Sequence, residues 1–322
     1  MIQAGIIGGA GYTAGELIRI LLNHPGAELS FVQSTSNAGN PVHRVHRDLL
    51  GDTAMKFVAH PDFDRCEVLF LCMGHGKSKA FLDTQSIPAP IRIIDLSHDY
   101  RLKATGNDFV YGLPELNRAL IRTSEHIANP GCFATGIELT LLPLASAGLL
   151  TDEVHVHAIT GSTGAGQAPS QTSHFSWRSG NLSVYKAFGH QHLGEITQSV
   201  KQLQPAFEKP INFIPVRGNH TRGILVSTYT TYHGTLEEAA ALYENYYSDH
   251  PFVFLTGENP DLKQVVNTNK VLLHLEKHGD KLMILSVTDN LLKGASGQAV
   301  QNMNLMFGLD EKAGLNLKPV SF

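Results

Sequence analysis

At 322 residues the chain exceeds one typical hydrophobic core and divides most naturally into two domains. Hydrophobic residues at 42% against 17% charged make it globular, and a formal net charge of -4 with no lysine/arginine block argues against a general nucleic-acid binder. Three cysteines, no basic leader and no apolar run long enough for a membrane span point to a cytoplasmic protein with reduced thiols and no membrane partner.

The first predicted elements are a strand from Gln3 to Ile7, a turn from Gly8 to Gly15, and a helix continuing through Leu22. Strand, glycine turn and helix in that order form a phosphate cradle, because unpaired N–H groups at a helix start bind pyrophosphate oxygens. A plain strand-to-helix turn has the same outline. Here, though, the turn opens the chain and a second strand, Glu28 to Gln33, follows the helix. Gly8, Gly11, Tyr12, Thr13 and Ala14 are the candidate cofactor contacts, with Ala14 standing where a third glycine is usual. No acidic residue lies between Ser34 and Arg47 to hold ribose hydroxyls. The hydroxyls of Ser34 and Ser36, with Arg44 and Arg47 nearby, suit a 2′-phosphate, so NADP is favoured over NAD.

Two further buried strands are expected at Val68 to Met73 and Ile91 to Leu96, which makes Cys72 a core residue. Alternating strands and helices predict a doubly wound parallel sheet with functional loops at its carboxyl edge. The pivotal stretch is Asn129-Pro130-Gly131-Cys132, a tight turn running into an apolar helical segment from Phe133 to Ala147. Most cysteines are small buried hydrophobes. A thiol presented at a helix mouth is different, because the dipole and the unpaired N–H groups there favour the nucleophilic thiolate.

Past Cys132 the texture changes. Val154 to Thr160 alternates as a strand, and His155 and His157 on one face have no partner set at metal spacing, so no metal is expected. Gly161 to Gln167 is a second glycine turn able to hold an anion. His220, in a loop between Asn219 and Thr221 and close to Arg217 and Arg222, is the candidate general base and acid. His190, in Gly189-His190-Gln191-His192, is its competitor. Strands near Val271–Leu275 and Leu282–Val287 precede Asp289 to Gln298, which opens the final helix.

These segments occur in an order that resembles the N-acetyl-γ-glutamyl-phosphate reductases. The shared motifs are the glycine turn, Asp95-Leu96-Ser97, Tyr111-Gly112-Leu113-Pro114, the Asn-Pro-Gly-Cys turn, Gly189 to His192, and Asp289 to Gln298. The resemblance spans nearly the whole chain. It implies an α/β fold of glyceraldehyde-phosphate-dehydrogenase-like architecture: a Rossmann domain (1–129 with 298–322) and an α+β catalytic and dimerisation domain (130–297). It also implies NADP, Cys132 as nucleophile, and a homo-oligomer, dimer or tetramer. Gly164 and Asn290 complete the candidate cofactor contacts; Arg101, Arg118, His190, Arg217 and Arg222 are the candidates for phosphate and carboxylate.

The chain departs from the family pattern at Thr35, where many members carry arginine, and at Pro215 to His220. That second segment is more similar to one in the aspartate-semialdehyde dehydrogenases whose histidine is catalytic. The implied reaction is attack of Cys132 on a γ-acyl phosphate, reduction of the thioester by hydride from NADPH, and release of the semialdehyde. Alternatives are a reductase of aspartyl or aminoadipyl phosphate, a non-catalytic NADP sensor, and a cysteine hydrolase.

Overall fold

The computed structural model describes residues 1–103 and 107–321. In the unit formed by Met1–Pro130 with Ala295–Asn316, short apolar runs become strands that all pair in parallel. The elements are β1 (Ile2–Ile7), α1 (Tyr12–Leu21), β2 (Ala27–Gln33), β3 (Val68–Leu71), α2 (Lys77–Thr84), β4 (Arg92–Asp95), β5 (Val110–Tyr111), α3 (Pro114–Thr123) and β6 (His126–Ala128). The sheet order is β2-β1-β3-β4-β6-β5. β3 and β4 are fully buried apart from Arg92, as expected for strands covered on both faces. β3 ends two residues and β4 one residue earlier than its apolar run, where the chain leaves the sheet for its loops.

This is the doubly wound α/β unit that the alternating pattern predicts. Its order reverses between β1 and β3, the switch point at which such sheets hold ligands beyond their carboxyl ends. Gly8 sits there with φ +80°, and a Cβ on it would come within 2.8 Å of the Cys72 carbonyl oxygen. Only glycine combines that backbone with that approach.

The other unit, Gly131–Gly294 with Leu317–Phe322, is built on a mixed sheet. Its elements are α4 (Cys132–Ser146), β7 (Val154–Thr160), α5 (Phe175–Arg178), β8 (Ser183–Val184), α6 (His192–Leu203), β9 (Ile211–Arg217), β10 (Ile224–Thr231), α7 (Leu236–Tyr247), β11 (Val253–Leu255), β12 (Val271–His278) and β13 (Lys281–Thr288). The seven strands run in the order β11-β12-β13-β10-β7-β9-β8. α4 is apolar nearly all round and buried from Phe133 to Ala145, so it is a core helix rather than a surface one. Gly136 lets it lie close to Val226 and Ser286 of the sheet. α6 and α7 pack beside it, with the Tyr243 and Tyr247 hydroxyls donating to carbonyls of α4.

The last helix, α8 (Gly297–Met306), belongs to the first unit. It is preceded by a π-helical turn at Leu292–Ser296, where the sequence predicts continuous helix from Asp289. Every residue of α8 is buried, including Gln298, Gln301, Asn302 and Asn304. Three of them donate through their amide nitrogens: Asn302 to the Gly112 carbonyl at 2.8 Å and to Asn129 Oδ1 at 3.1 Å, Gln301 to Glu311 at 3.0 Å, and Asn304 to the Ala313 carbonyl at 3.0 Å. Buried amides of this kind fix one orientation of the helix, because a rotated helix would orphan them.

Candidate active site

The turn before Cys132 is held residue by residue. Asn129 donates its backbone N–H to the Asp95 carbonyl at 2.8 Å and its amide to the Ala295 carbonyl at 3.0 Å. Arg101 Nε donates to the Asn129 carbonyl at 2.8 Å, and a second guanidinium nitrogen to Leu96 at 3.0 Å. Buried Arg101, a candidate substrate contact by sequence, thus braces the turn.

Cys132 is the first residue of α4, with Gly131 as N-cap and no side chain capping the helix. Two glycines bring groups close to it. A Cβ on Gly294 would stand 2.9 Å from Cys132 Cβ, and one on Gly131 would run into the His192 ring at 2.4 Å. The Gly131 N–H donates to Glu195 Oε2 at 2.8 Å, while Glu195 Oε1 lies 3.9 Å from His192 Nε2. Glu195 and His192 are both buried. A carboxylate at the positive end of a helix is electrostatically favoured, and this one also faces an imidazole. Neither residue was singled out by sequence reasoning. The available signal was their i,i+3 spacing, which puts both on one face of α6.

His190 lies in an aromatic cluster on the same side of α4. Its ring meets Phe133 edge-on at 5.5 Å, His192 at 4.6 Å, Phe213 at 5.4 Å and Tyr185 at 5.8 Å. Its Nδ1 accepts the His192 backbone N–H at 3.2 Å, which places the ring proton on Nε2. Burial, seconded by Lys186 and opposed by Glu195, pushes its pKa down to about 4, so the ring is neutral at pH 7. Tyr185 carries Arg217 over its ring at 4.8 Å, and its phenol is hydrogen-bonded by the same guanidinium. Burial and then the nearby Cys132 raise that phenol to about 12 against the opposing pull of Arg217. Cys132, Tyr185, Arg217, His190, His192 and Glu195 therefore share one neighbourhood. The other thiols are suppressed: burial pushes Cys66 up to about 11 and Cys72 to about 12, leaving neither a thiolate at neutral pH.

The remaining candidates in the catalytic and substrate sets have protein partners of their own. His220 Nε2 lies 3.2 Å from the Gly223 carbonyl of its own turn, and its ring packs over Gly218. Arg222 pairs with buried Asp289 at 2.9 Å, and Arg118 with Glu311 at 2.8 Å. Asp289 also accepts N–H groups from Asn267, Leu291 and Leu292. Asn290 joins two loops, accepting the Gly223 N–H at 2.7 Å and donating to Thr163 Oγ1 at 3.0 Å, beside Gly164.

The dinucleotide candidates surround the head of α1. Gly11 is its N-cap with no side-chain cap, and a Cβ there would meet nothing within 4 Å. Ala14 is buried, Thr13 offers its carbonyl to Ser296, and Tyr12 is 39% exposed at the helix mouth. After β2, Ser34 and Ser36 both accept from the Asn37 amide, at 3.2 and 3.1 Å, shaping a polar loop without an acid. An uncapped helix start facing open space beside a left-handed glycine fits a pyrophosphate, and this loop fits a 2′-phosphate. Among the described residues no His/Cys/Asp/Glu group is placed to hold a metal ion, and no helix is long and apolar enough to cross a membrane.

Known proteins divide the chain in a similar way. Residues 3–124 match the NAD-binding domain of semialdehyde dehydrogenases and residues 132–290 their dimerisation domain. Aspartate semialdehyde dehydrogenase II from Vibrio cholerae, complexed with ASA, shares the fold with a TM-score of 0.75 at 16% identity, covering 96% of this chain and 98% of that one. The aspartate semialdehyde dehydrogenase with NADP from Candida albicans has a TM-score of 0.73 at 13% identity, covering 95% and 99%. Sequence identity goes further than fold: the N-acetyl-gamma-glutamyl-phosphate reductase of Parabacteroides distasonis is 60% identical over 100% of both chains. With matched motifs from the glycine turn to the final helix, the chain belongs to the N-acetyl-γ-glutamyl-phosphate reductase family.

Proposed function

We propose that this enzyme reduces N-acetyl-γ-glutamyl phosphate to the γ-semialdehyde with NADPH, in the cytoplasm and in arginine biosynthesis. The observation that carries the mechanism is Cys132 at the head of α4, with the His192–Glu195 pair packed on the preceding residue. Cys132 thiolate attacks the γ-carbonyl carbon; a C–S bond forms and the C–O bond to phosphate breaks, phosphate leaving with the electron pair. Gly8, Gly11 and Thr13 around the head of α1 would hold NADPH, which would supply the hydride needed to reduce the thioester. Backbone N–H groups at the head of α4 and the Nε2–H of neutral His190 hold the carbonyl oxygen as it gains charge. Collapse of the thiohemiacetal releases semialdehyde and returns the thiolate.

His192, paired with Glu195, takes the thiol proton at the start of the cycle and returns it to the thiolate once the semialdehyde is released. Arg217, over Tyr185, holds an anionic group of the substrate. His220 is the rival base, favoured by its likeness to a catalytic segment of related enzymes. The match to a dimerisation domain supports a homo-oligomer. We assign the contact to the sheet face opposite α4, where Tyr229 is 43% exposed and stacks on His155 at 4.8 Å.

The test is NADPH oxidation over a series of acyl phosphates varying in chain length and N-acylation. N-acetyl-γ-glutamyl phosphate should give the highest kcat/KM. Preference for aspartyl or aminoadipyl phosphate would make this a sister reductase, and no oxidation with any of them would make it a sensor.

A further inference from the structure

Arg178, at the end of α5, is only 6% exposed, and its guanidinium makes five hydrogen bonds. Nε and Nη2 donate to the Thr172 carbonyl at 3.2 and 2.9 Å; Nη1 donates to the carbonyls of Asn181 at 3.3 Å and Arg217 at 2.8 Å; Nη2 also reaches Ser183 Oγ at 3.1 Å. One side chain thus ties the 172 turn, the 181–183 corner and the end of β9 together.

What it ties is otherwise thinly held. β8 is a two-residue edge strand, pairing Ser183 with Arg217 and Val184 with Val216 before Tyr185 N–H donates to Pro215 at 3.1 Å. So short a ladder holds little by itself. Yet it sets the Tyr185 ring under the Arg217 guanidinium. Among the described residues neither Arg178 nor Arg217 pairs with a carboxylate, and Arg217 Nε is buried with no hydrogen-bond partner. The Arg217 guanidinium, stacked on the tyrosine that feels Cys132 and carrying an unused donor, can receive an oxyanion.

We propose that Arg178 is a positioning residue for substrate recognition: it fixes the backbone of Arg217 and the edge strand leading to Tyr185, so that Arg217 meets an oxyanion of the substrate. This rests on Arg217 serving the reductase reaction proposed above. Arg178 does not touch the substrate itself. Lysine in its place keeps the charge but loses the planar fork that spans four acceptors.

The reverse reaction separates the two oxyanions, because phosphate and N-acetyl-glutamate semialdehyde enter as separate substrates with NADP. R178K should raise the KM of one of them by ~10–100-fold, the scale of a misplaced binding group, while kcat and the KM for NADP change little. A rise for phosphate assigns Arg217 to the phosphoryl group, and a rise for the semialdehyde assigns it to the carboxylate. Trp177, the sole tryptophan, precedes Arg178 and reports the arm by its emission. R178A may be read only where that emission stays native, and R178K decides otherwise. Unchanged KM values in R178K, or a loss of kcat with all KM values unchanged, would overturn the proposal. Wild type that fails to turn over either way would instead defeat the functional reading.

Discussion

The two helices that begin at glycine turns, α1 and α4, start alike and are furnished differently. Each has a glycine N-cap, no side-chain cap and no acid in its first turn, so each keeps backbone N–H groups for something else. Around Gly11 the protein leaves open space; around Gly131 it crowds in His192 and takes the N–H with Glu195. An open mouth suits a large, diffuse anion such as pyrophosphate. A crowded one suits a single charged atom, the Cys132 sulfur, and the proton traffic next to it. On the reading proposed above, the same backbone device serves binding in one place and reaction in the other, and the neighbours make the difference.

The sharpest break of that comparison is Cys132→Ser. Turnover should fall on the order of 10⁴-fold or more while NADPH binding stays normal, because a serine alkoxide is far harder to form than a thiolate. Mass spectrometry after mixing wild type with substrate alone should find the acyl adduct on Cys132. An adduct on Cys66 or Cys72 would move the reaction site away from α4.

Next in size is the base. His192→Asn and Glu195→Gln should each lower kcat by ~10²–10⁴-fold and shift the midpoint of iodoacetamide labelling of Cys132 to higher pH. The sign follows from losing a cation that stabilises the thiolate. His220→Asn should leave the labelling midpoint in place. If His220→Asn carries the rate loss and the shift while His192→Asn carries neither, the base is His220.

Adding one methyl group at each mouth sharpens the contrast further. Gly131→Ala drives a Cβ into the His192 ring and should cost kcat about 10²-fold, the scale of misaligned catalytic groups. Gly11→Ala meets no protein atom and has an ordinary φ of -81°, so the variant should melt like wild type. Its KM for NADPH should rise about tenfold, because the methyl stands where pyrophosphate must approach the backbone. Equal effects of both substitutions on NADPH would erase the distinction.

The elements around both mouths were legible from local pattern. Apolar strand, glycine turn and amphipathic helix are short-range signals, and they placed Gly8, Gly11 and Cys132 with little outside help. The π-helical turn at Leu292–Ser296 was not legible, since nothing in Lys293-Gly294-Ala295 distinguishes it from α-helix. The cations were hardest. Arg118, Arg217 and Arg222 look equivalent in sequence, and only partners far along the chain, Glu311 and Asp289, separate the two paired ones from Arg217. The same holds for the histidines: His192 gains its meaning from Gly131, a residue 61 positions earlier, through a contact no local window contains.

The smallest expected effect concerns the proton content of the crowded mouth. His190 is neutral in the native state because it is buried and because its Nδ1 already accepts a backbone N–H, leaving no lone pair for a second proton. Its native pKa of about 4 lies below the ordinary 6.5, so between these values the unfolded chain binds a proton that the native one lacks. Stability from this group is therefore complete above pH 6.5 and is lost as pH falls toward 4, by at most about 1.4 kcal/mol per pH unit. His24, also lowered by burial, tilts the curve the same way, whereas Asp95, raised by burial, tilts it the other way. Comparison with His190→Gln subtracts both. Urea unfolding at pH 7.5 and pH 5 should show wild type losing more stability than the variant. Equal losses would mean that His190 takes up its proton in the native state, and that the head of α4 offers the substrate oxygen a charged donor rather than a neutral one.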